Sequence, residues 1–336
     1  MSIIKKRKAE HVEIVAKDAS MDRRKFYFDE IRLTHRALPE IARQDVDPSI
    51  EFLGKKLSFP FLISSMTGGS GGEIQAINRS LAEAAEAEGV AMGVGSQRIL
   101  FNDPSAAASF DLRSVAPTAP LFANLGAIQL NYGMTIDQIR SAMDVLKADA
   151  LILHLNPLQE AVQPEGDTDF FNLWKIIGEL VQKVESPIII KEVGAGISRA
   201  DAELLIKAGV KIIDVAGAGG TSWSRIESAR CDDPALGELF QDWGIPTPQA
   251  LRDLSDLDVT LIASGGIRTG IDMAKAMVLG ASLCGMARPL LTPAMESADA
   301  VRAVIQRVKK EFTTAMFLLG LRTIDELKGN ETLLVK

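Results

Sequence analysis

A chain of 336 residues with 47% hydrophobic and 24% charged side chains can fill one large core, and 5% aromatic content makes that core aliphatic. A formal net charge of −7 excludes a general binder of nucleic acid or anionic membrane, yet leaves room for a local basic cluster facing an anionic ligand. The two cysteines, Cys231 and Cys284, fit no metal spacing; without a leader or an apolar run of ~18 residues, the expected compartment is a reducing cytoplasm.

Lys5-Lys6-Arg7-Lys8 comes first, followed by His11. By composition it reads either as a solvated basic tail or as an arm that folds over a bound anion. Residues 10–60 hold little periodic pattern, although Ile50 to Leu57 looks like a hairpin preceding the main fold. From Pro60 a rhythm begins. Apolar strand-like runs fall at Phe61–Ser65, Val90–Val94, Leu121–Asn124, Ala150–His154, Ile188–Lys191, Ile212–Ala216, Val259–Ala263 and Ser282–Met286. Between most of them lie helical patterns, at Ile74 to Ala87, Ile136 to Leu146, Leu173 to Val184, Ala200 to Ala208, Gly270 to Leu279 and Ala298 to Leu319.

Eight such units predict an α/β fold, a (β/α)₈ TIM barrel over residues 60–336, with residues 1–59 as an arm and extension packing on it. A doubly wound open sheet is the rival, but no Gly-x-Gly-x-x-Gly opening supports it. The gap after the sixth run is wide, and its Gly-rich segment Gly217 to Pro246 carries Trp223 and Trp243. A loop of that length is usually functional.

In a barrel all strand ends meet on one rim, where the chemistry sits. The fourth end is the most informative: Pro157 stops the strand and leaves His154, Asn156, Gln159 and Glu160 exposed to the rim. An imidazole, two amides and a carboxylate suit a phosphorylated ligand and a metal better than a hydrolytic reaction. Mg²⁺ is commonly held by one carboxylate together with phosphate oxygens and water, and Glu160 is the candidate. The seventh and eighth ends, Ser264-Gly265-Gly266-Ile267-Arg268 and Gly285-Met286-Ala287-Arg288, read as an anion site ahead of a helix. Lys191 ends an apolar strand and reads as a rim lysine, a Schiff-base lysine or a cation beside an electron-rich ring.

On these residues the chain resembles the type II isopentenyl-diphosphate isomerases, flavin enzymes of isoprenoid precursor metabolism. The specific pieces are His154-Leu-Asn-Pro-Leu-Gln-Glu160, Lys191-Glu-Val-Gly194, Asp214-Val-Ala-Gly-Ala-Gly-Gly-Thr-Ser-Trp223 and Ser264-Gly-Gly-Ile-Arg268, and the likeness spans nearly the whole chain. The resemblance implies FMN on the rim, with Met66, Thr67, Gly68, Ser96, Asn124, Lys191 and Thr221 along its ring and ribityl chain. Gly266, Ile267, Arg268, Ala287 and Arg288 would hold its phosphate. Arg7, Lys8, Ser96, Gln97, Arg98, His154, Asn156 and Gln159 would receive isopentenyl or dimethylallyl diphosphate, with Glu160 on Mg²⁺. Gln159 and His154 stand as the catalytic candidates, reduced FMN as the acid–base group and NADPH as the reductant that primes it. A homo-oligomer, tetramer or octamer, is also implied.

Two alternatives remain at this level. An FMN-dependent α-hydroxy-acid oxidase or dehydrogenase would be expected to place a histidine at the seventh strand end, whereas all three histidines lie in the first half of the chain. A non-catalytic phosphate-binding barrel would need no flavin at all.

Overall fold

Eight short parallel strands close on themselves in the order in which they occur in the chain. The computed structural model describes residues 10–16 and 18–335. An antiparallel hairpin, β1 (Ile50–Phe52) and β2 (Lys55–Leu57), precedes the barrel. Its two-residue turn places both Leu53 (φ 51°) and Gly54 (φ 72°) in the left-handed region, as a tight hairpin requires. The barrel follows as β3 (Phe61–Ile63), β4 (Ala91–Gly93), β5 (Leu121–Gly126), β6 (Ala150–Leu155), β7 (Ile188–Glu192), β8 (Ile212–Asp214), β9 (Thr260–Ser264) and β10 (Leu283–Met286). Pairing of Cys284 with Phe61 and Met286 with Ile63 seals the ring.

The inward face has a simple period-two logic. Leu62, Ala91, Phe122, Ile152, Ile189, Ile212, Ile262 and Leu283 form a dry inner cluster, closed from below by Phe52 and Leu57 of the hairpin. Two residues further along each strand, the same face carries Ser64, Gly93, Asn124, His154, Lys191, Asp214, Ser264 and Gly285. An aliphatic plug therefore supports a polar floor at the strand ends.

Outside the ring a larger aliphatic core lies between strands and helices. Helix Gly72–Glu88 turns Ile74, Ile77, Leu81 and Ala85 inward and stops at Gly89 (φ 61°). Helix Ile136–Leu146 opens with a Thr135–Gln138 capping box, and Ala298–Leu319 starts on the Ser297 hydroxyl. The extension joins the same core through Phe28, Ile31 and Val46. The wide segment after β8 is not a bare loop: it folds into helices Trp223–Ser228 and Ala235–Leu239 before Thr247–Leu254 resumes the barrel pattern. No helix among the described residues is long and apolar enough to cross a membrane.

Candidate active site

One cavity opens at the carboxyl ends of the strands, walled by residues from every part of the barrel and by His11, Val12 and Val15 of the N-terminal segment. Its β6 side is built by the abrupt stop foreseen at Pro157. Pro157 takes the first helical position of Pro157–Val162, where a missing N–H costs nothing, and the short helix presents Gln159 and Glu160. Asn156 Nδ2 donates to Glu160 Oε1 (2.8 Å) and Gln159 Oε1 (3.1 Å). Glu160 Oε2 accepts Gln163 Nε2 (2.5 Å) and the Asp167 N–H (2.8 Å). Gly166 makes that turn possible, because a Cβ there would stand 1.8 Å from the Glu160 carbonyl oxygen.

The long segment after β8 closes this side. Gln159 Nε2 donates to Glu227 Oε1 (2.8 Å), and the same carboxylate meets His11 Nε2 (3.1 Å) and Arg230. Burial pushes the Glu227 carboxyl up, but hydrogen bonds from His11 and Gln159 and the Arg230 charge outweigh it and hold it at about 2. The Gln159 amide is therefore gripped at both ends. Trp223 packs edge-on against His11, 5.1 Å between ring centroids.

On the floor, His154 Nδ1 donates to Asn124 Oδ1 (2.8 Å), whose Nδ2 donates to Ser65 Oγ (2.9 Å). Gly126 leaves room for the imidazole; a Cβ would lie 3.2 Å from His154 Nε2. Lys191 donates to the Glu192 carbonyl (2.7 Å) and lies 3.7 Å from Asp214, which Ser264 Oγ also bonds at 2.7 Å. Burial pushes the Asp214 carboxyl up, and Lys191 and Ser264 oppose it. The buried ammonium thus has a buried carboxylate behind it and the cavity in front.

The β9–β10 side is made of backbone. Gly265 and Gly266 have φ of 90° and 83°, and a Cβ on Gly265 would stand 2.1 Å from the Gly217 carbonyl oxygen. The N–H groups of Gly266, Ile267 and Ala287 meet no protein acceptor among the described residues. Helices Gly270–Val278 and Arg288–Glu296 begin beside them. Arg268 and Arg288 converge on Asp22 at 2.6 and 3.0 Å, and Asp22 Oδ1 accepts Thr221 Oγ1 (2.7 Å). Free N–H groups, two helix starts and two guanidinium groups make an anion cradle of the kind a phosphate fills.

Comparison with known proteins gives the chain's family. The FMN-dependent dehydrogenase family model covers residues 2–103 and 138–334. An isopentenyl-diphosphate delta-isomerase of Paracoccus zeaxanthinifaciens is 54% identical over 98% of this chain and 96% of its own length. That of Hydrogenovibrio crunogenus is 50% identical over 99% of both chains. The chain belongs to the isopentenyl-diphosphate delta-isomerase family. Among solved structures, a flavocytochrome b2 variant with sulfite bound matches at TM-score 0.70 and 20% identity, covering 98% of this chain and 82% of that one. A mandelate oxidase variant matches at TM-score 0.64 and 18% identity, covering 98% of both chains. At such identities these two share the barrel fold with this isomerase-family chain.

Most residues expected at the site do meet on this wall: Met66, Thr67, Ser96, Arg98, Asn124, His154, Asn156, Gln159, Glu160, Lys191, Thr221, Gly266, Ile267, Arg268, Ala287 and Arg288. Arg7 and Lys8 lie outside the described residues. Gln97 departs from expectation. It is fully buried off the wall, its Nε2 donating to the Ala142 carbonyl (2.8 Å) and its Oε1 accepting the Asn124 N–H (3.0 Å). Its amide is spent on backbone and holds Asn124 in place, away from the cavity wall. Gly68 also stands off the wall, its carbonyl accepting Asn78 Nδ2 (3.0 Å). The sequence reading missed Glu227, Asp22 and Asp167. Only the one-turn spacing of Trp223 and Glu227 hinted at a shared helix face.

The residues present fit the groups the family implies. The cradle suits the phosphate of FMN. No cluster of three His, Cys, Asp or Glu residues able to hold a metal occurs among the described residues. Around Glu160, however, the buried oxygens Asn156 Oδ1 and Gln163 Oε1 have no donor among the described residues. One carboxylate, oriented by two amide N–H groups whose own oxygens carry no hydrogen bond, fits a hydrated hard cation that arrives with its own phosphate ligands.

Proposed function

We propose that this isomerase-family chain interconverts isopentenyl diphosphate and dimethylallyl diphosphate, with FMN in the barrel mouth and Mg²⁺ on the diphosphate. The observation that carries it is that two different devices, an anion cradle and a carboxylate group, face one cavity from strands three and four positions apart in the ring. The backbone cradle of β9–β10 stands on one side and the Glu160 group of β6 on the other. The first suits the cofactor phosphate; the second suits a magnesium diphosphate. The ring and ribityl chain would lie between them, against Met66, Thr67, Ser96, Asn124, Lys191 and Thr221.

Bound and reduced, FMN supplies an electron-rich ring and an exchangeable proton, with NADPH as the reductant that primes it. The chain's own residues do the rest. Shifting the double bond requires a proton added at the terminal alkene carbon and another lost from the carbon beside the CH₂O group. Positive charge develops between these events, so the site must be dry and must not present cations to the hydrocarbon. Lys191 is held on the floor by Asp214 and the Glu192 carbonyl. Gln159, fixed by Glu227 and Asn156, orients or relays a proton at its amide, while His154 Nε2 and Asn156 face the diphosphate. Arg98, with Arg7 and Lys8 from the N-terminal arm, would neutralise the remaining phosphate charge. A cytoplasmic homo-oligomer is the assembly this reading expects.

The test is product analysis with the FMN-loaded protein under anaerobic NADPH. Isopentenyl diphosphate should reach equilibrium with dimethylallyl diphosphate, EDTA should stop the reaction, and Mg²⁺ should restore it. A protein that takes up FMN yet oxidises lactate or mandelate instead contradicts the reading.

A further inference from the structure

Asp167 carries no role in the reading above and no motif drew attention to it, yet three wall residues from three different elements hang on it. Its Oδ2 accepts Arg98 Nη1 at 2.9 Å and Gln129 Nε2 at 2.9 Å, and its backbone N–H donates to Glu160 Oε2 at 2.8 Å. Arg98, Gln129 and Glu160 all face the cavity, whereas Asp167 itself does not. Asp167 takes only Nη1 of Arg98 and leaves the remaining donors of that planar fork for a ligand.

We propose that Asp167 is the positioning residue that assembles Arg98, Gln129 and Glu160 into one receptor for a magnesium diphosphate headgroup, and that Gln129 is a further contact of that receptor. The inference rests on the diphosphate reading above. An arginine on a 3₁₀ turn and a glutamine on another would each sample many rotamers; a shared acceptor removes that freedom before the ligand arrives. The same residue reaches Glu160 through its backbone, so the cation side and the arginine side are fixed together. The turn that allows this depends on Gly166, where any Cβ would collide with the Glu160 carbonyl.

The experiment measures binding of inorganic pyrophosphate with Mg²⁺ to the FMN-loaded protein by calorimetry, for the unaltered chain, Asp167→Ala, Asp167→Asn and Arg98→Ala. Asp167→Ala should weaken pyrophosphate about tenfold or more, the worth of a lost charged hydrogen bond. FMN affinity should stay within about twofold, since the cradle is on the far side of the ring. Asp167→Asn keeps one acceptor oxygen and should recover part of the loss. Adding Arg98→Ala to Asp167→Ala should cost less than the two single losses multiplied, because both break one unit. Pyrophosphate binding unchanged in Asp167→Ala, or full multiplicativity in the double variant, overturns the proposal. A fall in FMN affinity and pyrophosphate affinity together, in Asp167→Asn as well, also overturns it, because the residue is then only a loop anchor. Failure of the unaltered FMN-loaded protein to bind magnesium pyrophosphate sinks the diphosphate reading itself.

Discussion

The two sides of the mouth are built by different means. On the β9–β10 side the bends, free N–H groups and charges are local, supplied by Ser264 to Arg268 and Gly285 to Arg288, and Asp22 reaches in from the N-terminal extension to pair both arginines. On the β6 side the device is assembled from a distance. Asn156, Gln159 and Glu160 are positioned by Asp167, Glu227, Arg230 and His11, which come from three other stretches of chain. Backbone geometry tolerates no approximation, so it is encoded by glycines in a short motif. Side-chain geometry can be held from anywhere the fold brings a partner, so it leaves little trace in local sequence.

The contrast can be broken most severely at Gly265. Its φ of 90° and the 2.1 Å approach to the Gly217 carbonyl leave no room for a methyl group. Gly265→Ala should cost about 1–3 kcal/mol in backbone strain alone and lower FMN affinity by roughly a hundredfold, measured by fluorescence titration. Undiminished FMN binding would mean that the cradle is not what holds the phosphate.

Glu160→Gln should act on the other side alone. It should weaken Mg²⁺-dependent pyrophosphate binding by about tenfold while FMN remains bound, because a neutral amide replaces the one carboxylate among the Asn156 and Gln163 amides. Equal loss of FMN would merge the two sides into one. Gln97→Met sharpens the comparison differently. Losing two buried hydrogen bonds to backbone should reduce stability by about 1–3 kcal/mol in urea unfolding, with KM for the diphosphate changed less than threefold. A large rise in KM at unchanged stability would restore it as a substrate contact.

The smallest effect at neutral pH is reserved for the acid limb of stability. Glu227 has a folded-state value of about 2 against an ordinary 4.5, so its carboxylate stabilises the fold above about pH 4.5 and that contribution drains as pH falls toward 2. Glu227→Gln has no such proton to gain. Its thermal stability should fall less steeply than that of the unaltered chain between pH 4.5 and 2, followed by circular dichroism. Parallel curves would show that the His11–Glu227–Arg230 group does not lock the N-terminal segment to the mouth.

The barrel itself was legible because its strands are continuous aliphatic runs with polar ends. All eight runs became strands, and Ile136–Leu146 and Ala298–Leu319 fall where the periodicity put them. The site was legible wherever a residue sits at a strand end: Lys191, His154 and Asn124 are inward-facing simply because they lie two residues beyond Ile189, Ile152 and Phe122. The wide segment after β8 stood out by its length, but its two short helices and the Glu227 contact did not. Trp223 to Ser228 is a single helical segment of six residues, too short for a periodic signal, and its partner Gln159 is 68 positions away. Gln97 lies off the wall for the opposite reason. It adjoins Ser96 and Arg98 on the wall, but the 3₁₀ turn at Gln97–Phe101 carries its side chain into the interior.

The reaction proposed for the barrel mouth is a redox-neutral proton shift that depends on an electron-rich flavin. Isopentenyl diphosphate and Mg²⁺ in heavy water, with the FMN-loaded protein, test it most directly, with deuterium followed in both interconverting diphosphates. Label should enter both compounds after NADPH reduction and neither while the flavin stays oxidised. Full exchange with the cofactor stripped, or oxidised throughout, would contradict the account.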